Sequence, residues 1–240
     1  MNPERLYLMQ VAYMPVPNIP IVCYLLQMSD GTNVLIDSGL PNTLPPGREA
    51  VMEKNVVEQL ALIGLQPSDI DTVICTHFDG DHAGQLAQFY HAQFVVQRAH
   101  YDNALTNPRF GFTRDQWERT AEDYRFVDGD VELFPGVELI ETSGHAVGHQ
   151  SLLIRLPKTG AALLAIDAVR KGASFVRDRD DATPDEDPIT LRASTVKLLD
   201  LAEREHVSLT IFGHDAQQWP MLKKLPEFYI NAVYDRFSSE

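Results

Sequence analysis

The chain has 240 residues, 44% of them hydrophobic, and carries a formal net charge of -14 at pH 7. That length and apolar content suit one domain with a sizeable core. The charge argues against nucleic acid or an anionic membrane as a partner, because either would repel the protein. The only two cysteines, Cys23 and Cys75, sit inside apolar runs and read as small buried hydrophobes rather than as a disulfide framework. Residues 1–10 lack the basic start and apolar run of a signal peptide, and no stretch reaches the roughly 18 apolar residues of a membrane span. A soluble, cytoplasmic protein is expected.

Residues 19–27 form an apolar, β-favouring run, residues 29–32 supply turn chemistry around Asp30-Gly31, and residues 33–37 form a second run. Together they predict a hairpin that ends on Asp37, where a supporting role at a functional site is one reading and a turn residue the other. A proline-rich loop follows over 40–46. Residues 49–63 have helical spacing, with Val51, Val56, Leu60 and Ile63 facing the core and Gly64 as the stop. A strand over 72–75 leads into Thr-His-Phe-Asp-Gly-Asp-His at 76–82. Two imidazoles and two carboxylates within six residues at a strand end suit a divalent cation. A short helix over 83–89 would leave this loop and bring helix-start N–H groups near Asp81 and His82.

A strand over 94–97 and a helical piece over 101–105 come next. Residues 107–113 predict a loop over a pocket, with Phe110 and Phe112 as wall residues. Four further strands are expected over 131–134, 137–142, 151–156 and 161–166. Residues 177–188 are acidic and poor in apolar side chains, which predicts an exposed loop. Residues 191–206 read as an amphipathic helix with Val196, Leu199 and Ala202 at core spacing. A last strand over 209–212 ends at Gly213-His214-Asp215, and a mixed aromatic and charged tail is expected to pack on the body. No repeat, low-complexity segment or linker divides the chain, so one domain spanning 1–240 is expected.

The remaining candidate ligands share one position. His145, Asp167 and His214, like His77, Asp79, Asp81 and His82, lie at the carboxyl ends of apolar β-runs, where loops can converge on one edge, and His149 and Asp215 are further candidates beside them. Each alone could be a turn residue; the recurrence over four strands points to a metal site.

These residues resemble the metallo-β-lactamase superfamily, whose signature is a strand followed by His-x-His-x-Asp-His. His145, Asp167 and His214 match its later histidine, bridging aspartate and final histidine. The resemblance covers nearly the whole chain. It is greatest to the N-acyl-homoserine lactonase group, on Val-Leu-Ile-Asp-Ser-Gly at 34–39, Thr-Ser-Gly-His-Ala-Val-Gly-His-Gln at 142–150 and Gly-His-Asp-Ala-Gln-Gln-Trp at 213–219. It implies an αββα sandwich, two mixed sheets flanked by helices. It also implies two divalent metal ions: one at His77, Asp79 and His145, the other at Asp81, His82 and His214, with Asp167 bridging.

Two positions depart from the pattern. Asp79 stands where the superfamily has the second histidine of the motif, a harder and charged donor. Zinc is the first expectation for the metal; Asp79 could instead favour iron, manganese or a mixed centre, or weaken the first site until only one metal binds tightly. Arg170 stands where the lactonases carry a tyrosine three residues after the bridging aspartate, and could meet a carboxylate or an oxyanion. The implied activity is opening of a lactone ring by a metal-bridging hydroxide, with Asp81 and Arg170 as catalytic residues and Asp37 and His149 orienting the ligating histidines. Alternatives on the same site are an ester, thioester or phosphotriester hydrolase, or a non-hydrolytic diiron protein. A small-molecule lactone or ester is the expected partner, with no nucleic acid or membrane; a homodimer is left open.

Overall fold

The computed structural model describes residues 1–15, 18–44, 47, 49–118 and 123–230. The chain opens with a strand the sequence reading left unassigned, β1 (Pro3–Met14), paired antiparallel with β2 (Ile19–Met28). The expected hairpin then carries β2 into β3 (Asn33–Ile36). The rest of the first half holds β4 (Val51–Met52), α1 (Val56–Ala61), β5 (Thr72–Ile74), α2 (Gly80–Ala83), β6 (Gln93–Gln97), α3 (Arg98–Ala104), α4 (Arg114–Trp117) and β7 (Tyr124–Val127). The second half holds β8 (Val131–Phe134), β9 (Val137–Glu141), β10 (Gln150–Leu156), β11 (Gly160–Ile166), α5 (Pro188–Arg204), β12 (Leu209–Phe212) and β13 (Tyr229–Ile230).

Among the described residues these make two mixed sheets. One runs β13-β1-β2-β3-β5-β6-β7, with β4 added on β1; the other runs β12-β11-β10-β9-β8. The period of two along each strand divides its side chains between layers. Leu6 and Leu8 of β1 meet Leu152 and Ile154 of β10 and Leu164 of β11 between the sheets. Tyr7 and Met9 point the other way, into a cluster with Val56 and Leu60 of α1, Phe78 and Trp117. Leu153, Leu163 and Ala165 leave the second sheet outward onto Leu198 and Leu201 of α5. This is the αββα sandwich. Because both faces of both sheets are covered, the strands read as continuous apolar runs.

Several local expectations are corrected. The helix over 49–63 is only Val56–Ala61, because Asn55 and Glu58 form a reciprocal capping box that starts it there; the exposed Val51 pairs with β1 instead. The helix expected over 83–89 begins earlier, as the single turn Gly80–Ala83 behind Asp79, and residues 86–89 form a 3₁₀ turn. Residues 108–113 are 3₁₀ rather than open loop; Phe110 is buried, whereas Phe112 is exposed. The 191–206 helix is Pro188–Arg204, capped by Asp187, and its buried face is Leu191, Ser194, Thr195, Leu198 and Leu201, one step from the face expected. Ser194 and Thr195 disguised that face, since their hydroxyls donate to the carbonyls of Ser143 and Leu191. The 177–188 loop is not wholly exposed, because Arg179 and Glu186 are buried in it. The tail packs as expected through β13 on β1, with Phe228 against Tyr7; residues 231–240 of it, like Pro45 and Pro46 of the proline-rich loop, lie outside the described residues.

Candidate metal centre

Both sheets deliver ligands to one place. The middle strand of the parallel run β3-β5-β6 ends at Ile74, so the 76–82 loop emerges at the carboxyl edge of the first sheet. In the second sheet β11 and β12 pair in parallel, which sets Asp167 and His214 side by side beyond their ends. The turn from β9 into β10 brings in His145. This turn depends on glycine. At Gly148 (φ +65°) a Cβ would lie 2.4 Å from the His100 backbone nitrogen, and at Gly144 (φ +131°) 2.4 Å from the Leu191 backbone.

Each of the four histidines is fixed through Nδ1. His82 Nδ1–H donates to Asp37 (2.8 Å), His145 Nδ1–H to Glu186 (2.7 Å) and His214 Nδ1–H to the Pro20 carbonyl (2.8 Å). His77 Nδ1 lies 3.0 Å from the Thr76 hydroxyl, which in turn donates to Asp37 (2.7 Å). With Nδ1 committed in each ring, Nε2 is the nitrogen aimed inward, and it is the one that can offer a lone pair to a metal when its proton leaves.

Those Nε2 atoms meet carboxylates. His77 lies 3.3 Å and His145 3.0 Å from Asp79 Oδ2. His214 is 3.5 Å and His82 3.8 Å from Asp81 Oδ2. Asp167 faces both groups, with Oδ1 3.4 Å from His82 and 3.2 Å from His214, and Oδ2 3.5 Å from His145. Ligand atoms around a tetrahedral ion with 2.0–2.1 Å bonds stand about 3.4 Å apart, and the distances here scatter around that value from 3.0 to 3.8 Å. His77 Nε2, His82 Nε2 and Asp167 Oδ1 are buried with no hydrogen-bond partner, and a cation is the partner that satisfies all three. The donor set fits a divalent metal.

Charge agrees with geometry. Burial would pull the His82 pKa down, yet Asp167, Asp81 and Asp37 hold it well above its ordinary value. Burial also works against His145, but Asp167, Asp79 and Glu186 hold it up to about 9. The field here is anionic and favours positive charge.

The seven residues expected to ligate, His77, Asp79, Asp81, His82, His145, Asp167 and His214, all converge. Asp37 and His149 support them, with buried His149 accepting from the Asp167 backbone N–H (3.2 Å). Asp215 does not join; it accepts N–H bonds from Gly172, Gln217 and Gln218. Arg170 is turned to Glu186 (3.2 Å). Arg109, Glu186, Thr76 and His100 went unread. Arg109 had one available signal: a carboxylate in place of a motif histidine calls for a countercharge.

The family model of the metallo-β-lactamase superfamily matches residues 16–214. The chain belongs to the metallo-β-lactamase superfamily. Among relatives in it, an N-acyl homoserine lactonase of a Bacillus species is 32% identical over 225 residues, covering 88% of this chain and 87% of its own. A crystal structure of a Bacillus thuringiensis AiiA variant with N-decanoyl-L-homoserine at its active site superposes with a TM-score of 0.83 at 27% identity, over 95% of this chain and all of that one. An N-acyl homoserine lactone hydrolase with its product N-hexanoyl-L-homoserine at the catalytic metal centre gives 0.82 at 27% identity, with the same coverage.

Proposed function

We propose that this superfamily member is a metal-dependent hydrolase that opens the ring of N-acyl homoserine lactones or similar lactones, and that residues 1–240 act as one domain. The observation that carries the reading is the set of four inward Nε2 atoms around Asp81 and Asp167, in a chain whose lactonase relatives align over most of its length. His82, His214, Asp81 and Asp167 would hold a divalent ion, with His77, Asp79 and His145 as a second cluster of ligand-type side chains beside it; zinc remains the first expectation. When bound, such a cation polarises an ester carbonyl and lowers the pKa of water.

The chain's own residues supply the rest. Asp37 holds His82 directly and His77 through Thr76, so neither ring needs to reorient when a ligand arrives. Asp81, about one-fifth exposed, is the carboxylate we assign to pass a proton to the leaving ring alkoxide. Arg170 pairs with Glu186, which holds His145, so we assign Arg170 a positioning role. A cleft of about 720 Å³ opens beside His145, lined by Asn107, Arg109, Phe110, Val147 and Thr190, and suits the acyl chain.

The test follows proton release on a panel of N-acyl homoserine lactones, other lactones, a thioester and a phosphotriester. Lactone opening that disappears on chelation and returns with added divalent metal is the expected result. Turnover of the thioester or phosphotriester alone would reassign the substrate, and turnover unaffected by chelation would overturn the metal-dependent reading.

A further inference from the structure

Arg109 enters the centre from the 3₁₀ segment Pro108–Thr113 and takes hold of the residue that departs from the family pattern. Its Nε donates to Asp79 Oδ1 (2.7 Å) and its Nη2 to Asp79 Oδ2 (2.5 Å), a two-point fork. Nη1 donates to the His145 carbonyl (2.8 Å), and Nη2 also lies 2.9 Å from His145 Nε2. Of the three ligand atoms that face one another as His77, Asp79 and His145, two already have a positive nitrogen against them.

The third atom of that cluster, His77 Nε2, has no such partner, and it shares that state with two atoms beyond the cluster. His77 Nε2, His82 Nε2 and Asp167 Oδ1 are the buried ones at the centre without a hydrogen bond, and they stand within 4.8 Å of one another. Charge divides the same way. Asp79 with Arg109 is a neutral pair, while Asp81 and Asp167 carry the two negative charges that one divalent ion balances.

We propose that Arg109 is the resident cation of the first cluster, so that this protein binds one divalent ion, at Asp81, His82, Asp167 and His214 with His77 turned toward it, where the superfamily pattern supplies two. The departure at Asp79 and the arginine are then one change, a histidine ligand exchanged for an ion pair. The proposal rests on the metal-binding part of the function proposed above and not on its substrate.

The test is metal stoichiometry. Native protein, stripped and titrated with Co(II), is followed by visible absorption and by elemental analysis after dialysis. Wild type is expected to saturate at one equivalent. Arg109→Met, and Asp79→His/Arg109→Met, which restores the family ligand and leaves no unpaired carboxylate, are expected to take two. Arg109→Lys, which keeps the charge, should remain at one. Two equivalents in wild type overturn the proposal whether or not the variants fold, and so does one equivalent in a folded double variant. Lactone opening is scored separately. One ion without turnover would sink the substrate reading and leave this one standing; two ions with turnover would do the reverse.

Discussion

Asp37 governs two histidines with one carboxylate. Its backbone is held at φ +58°, a region an aspartate tolerates better than most residues, and from there it accepts from the Thr76 N–H (2.8 Å), the Thr76 hydroxyl and His82 Nδ1–H. Asp37→Asn keeps the shape but replaces one acceptor oxygen with an N–H donor. An amide nitrogen at the Oδ2 position removes the acceptor of both His82 Nδ1–H and the Thr76 hydroxyl, and one at the Oδ1 position removes that of the Thr76 N–H, so the hold on His82 and His77 is weakened either way. We expect metal affinity to fall about 10–100-fold with the fold retained, measured by competition against a chromophoric chelator; unchanged affinity would remove Asp37 from the centre. Asp37 was legible in the sequence because it ends a clear strand. Arg109 and Glu186 were not, because each lies in a segment whose composition says only loop, and each finds its partner 30 and 41 residues away along the chain. A one-dimensional pattern shows which side chains could ligate. It does not show which cation or anion the fold will bring against them.

At the scale of elements, α3 ties the two ligand-bearing loops together through His100. Its Nε2 accepts from the Phe78 N–H (2.8 Å), and its Nδ1–H donates to the Val147 carbonyl (2.7 Å). Beneath it, Phe78 stacks on Trp117 of α4 at 4.7 Å, so the 76–82 loop is pinned from both sides. The ring must be neutral to make both bonds, and burial pushes its pKa down from 6.5 to about 4. The sign follows. The unfolded chain takes up a proton below about 6.5 and the folded one does not, so stability is undiminished above pH 6.5 and is lost as pH falls toward 4. The full effect is roughly 3 kcal/mol, from 1.36 kcal/mol per pKa unit. His100→Gln offers one acceptor and one donor without titrating. Urea unfolding of chelator-treated protein between pH 7 and 4 should show a shallower decline in this variant than in wild type, and parallel declines would mean His100 does not titrate as a buried base. Here too the sequence carried only part. The strands of the second sheet were readable as apolar runs, but α4 and β7 are short and their pairing is non-local. The helix expected over 49–63 lost its first half to a capping box and an edge strand that spacing alone favoured as helix.

At the scale of the molecule, the centre joins the two sheets. The first contributes His77 to His82 beyond β5; the second contributes His145 from the β9–β10 turn and Asp167 and His214 beyond β11 and β12. Among direct links across this edge, His214 reaches the first sheet through the Pro20 carbonyl, and the Gln150 amide donates to the Cys75 carbonyl (2.8 Å). An ion held by ligands from both sheets binds the folded chain and not the unfolded one, so it adds to stability by mass action. With free ion about a thousandfold above Kd the gain is ~4 kcal/mol, which for a chain this long raises Tm by roughly 8–16 °C. Calorimetry with and without chelator should show that shift, with one transition in each state as expected of a single domain. Hydrogen exchange should rise on metal removal at the carboxyl ends of β5, β11 and β12 together, since losing the ion uncouples both sheets at one place. Loss of protection on one sheet only would mean that the ion does not span them, and an unchanged Tm would mean that the ligands do not hold an ion in the folded protein.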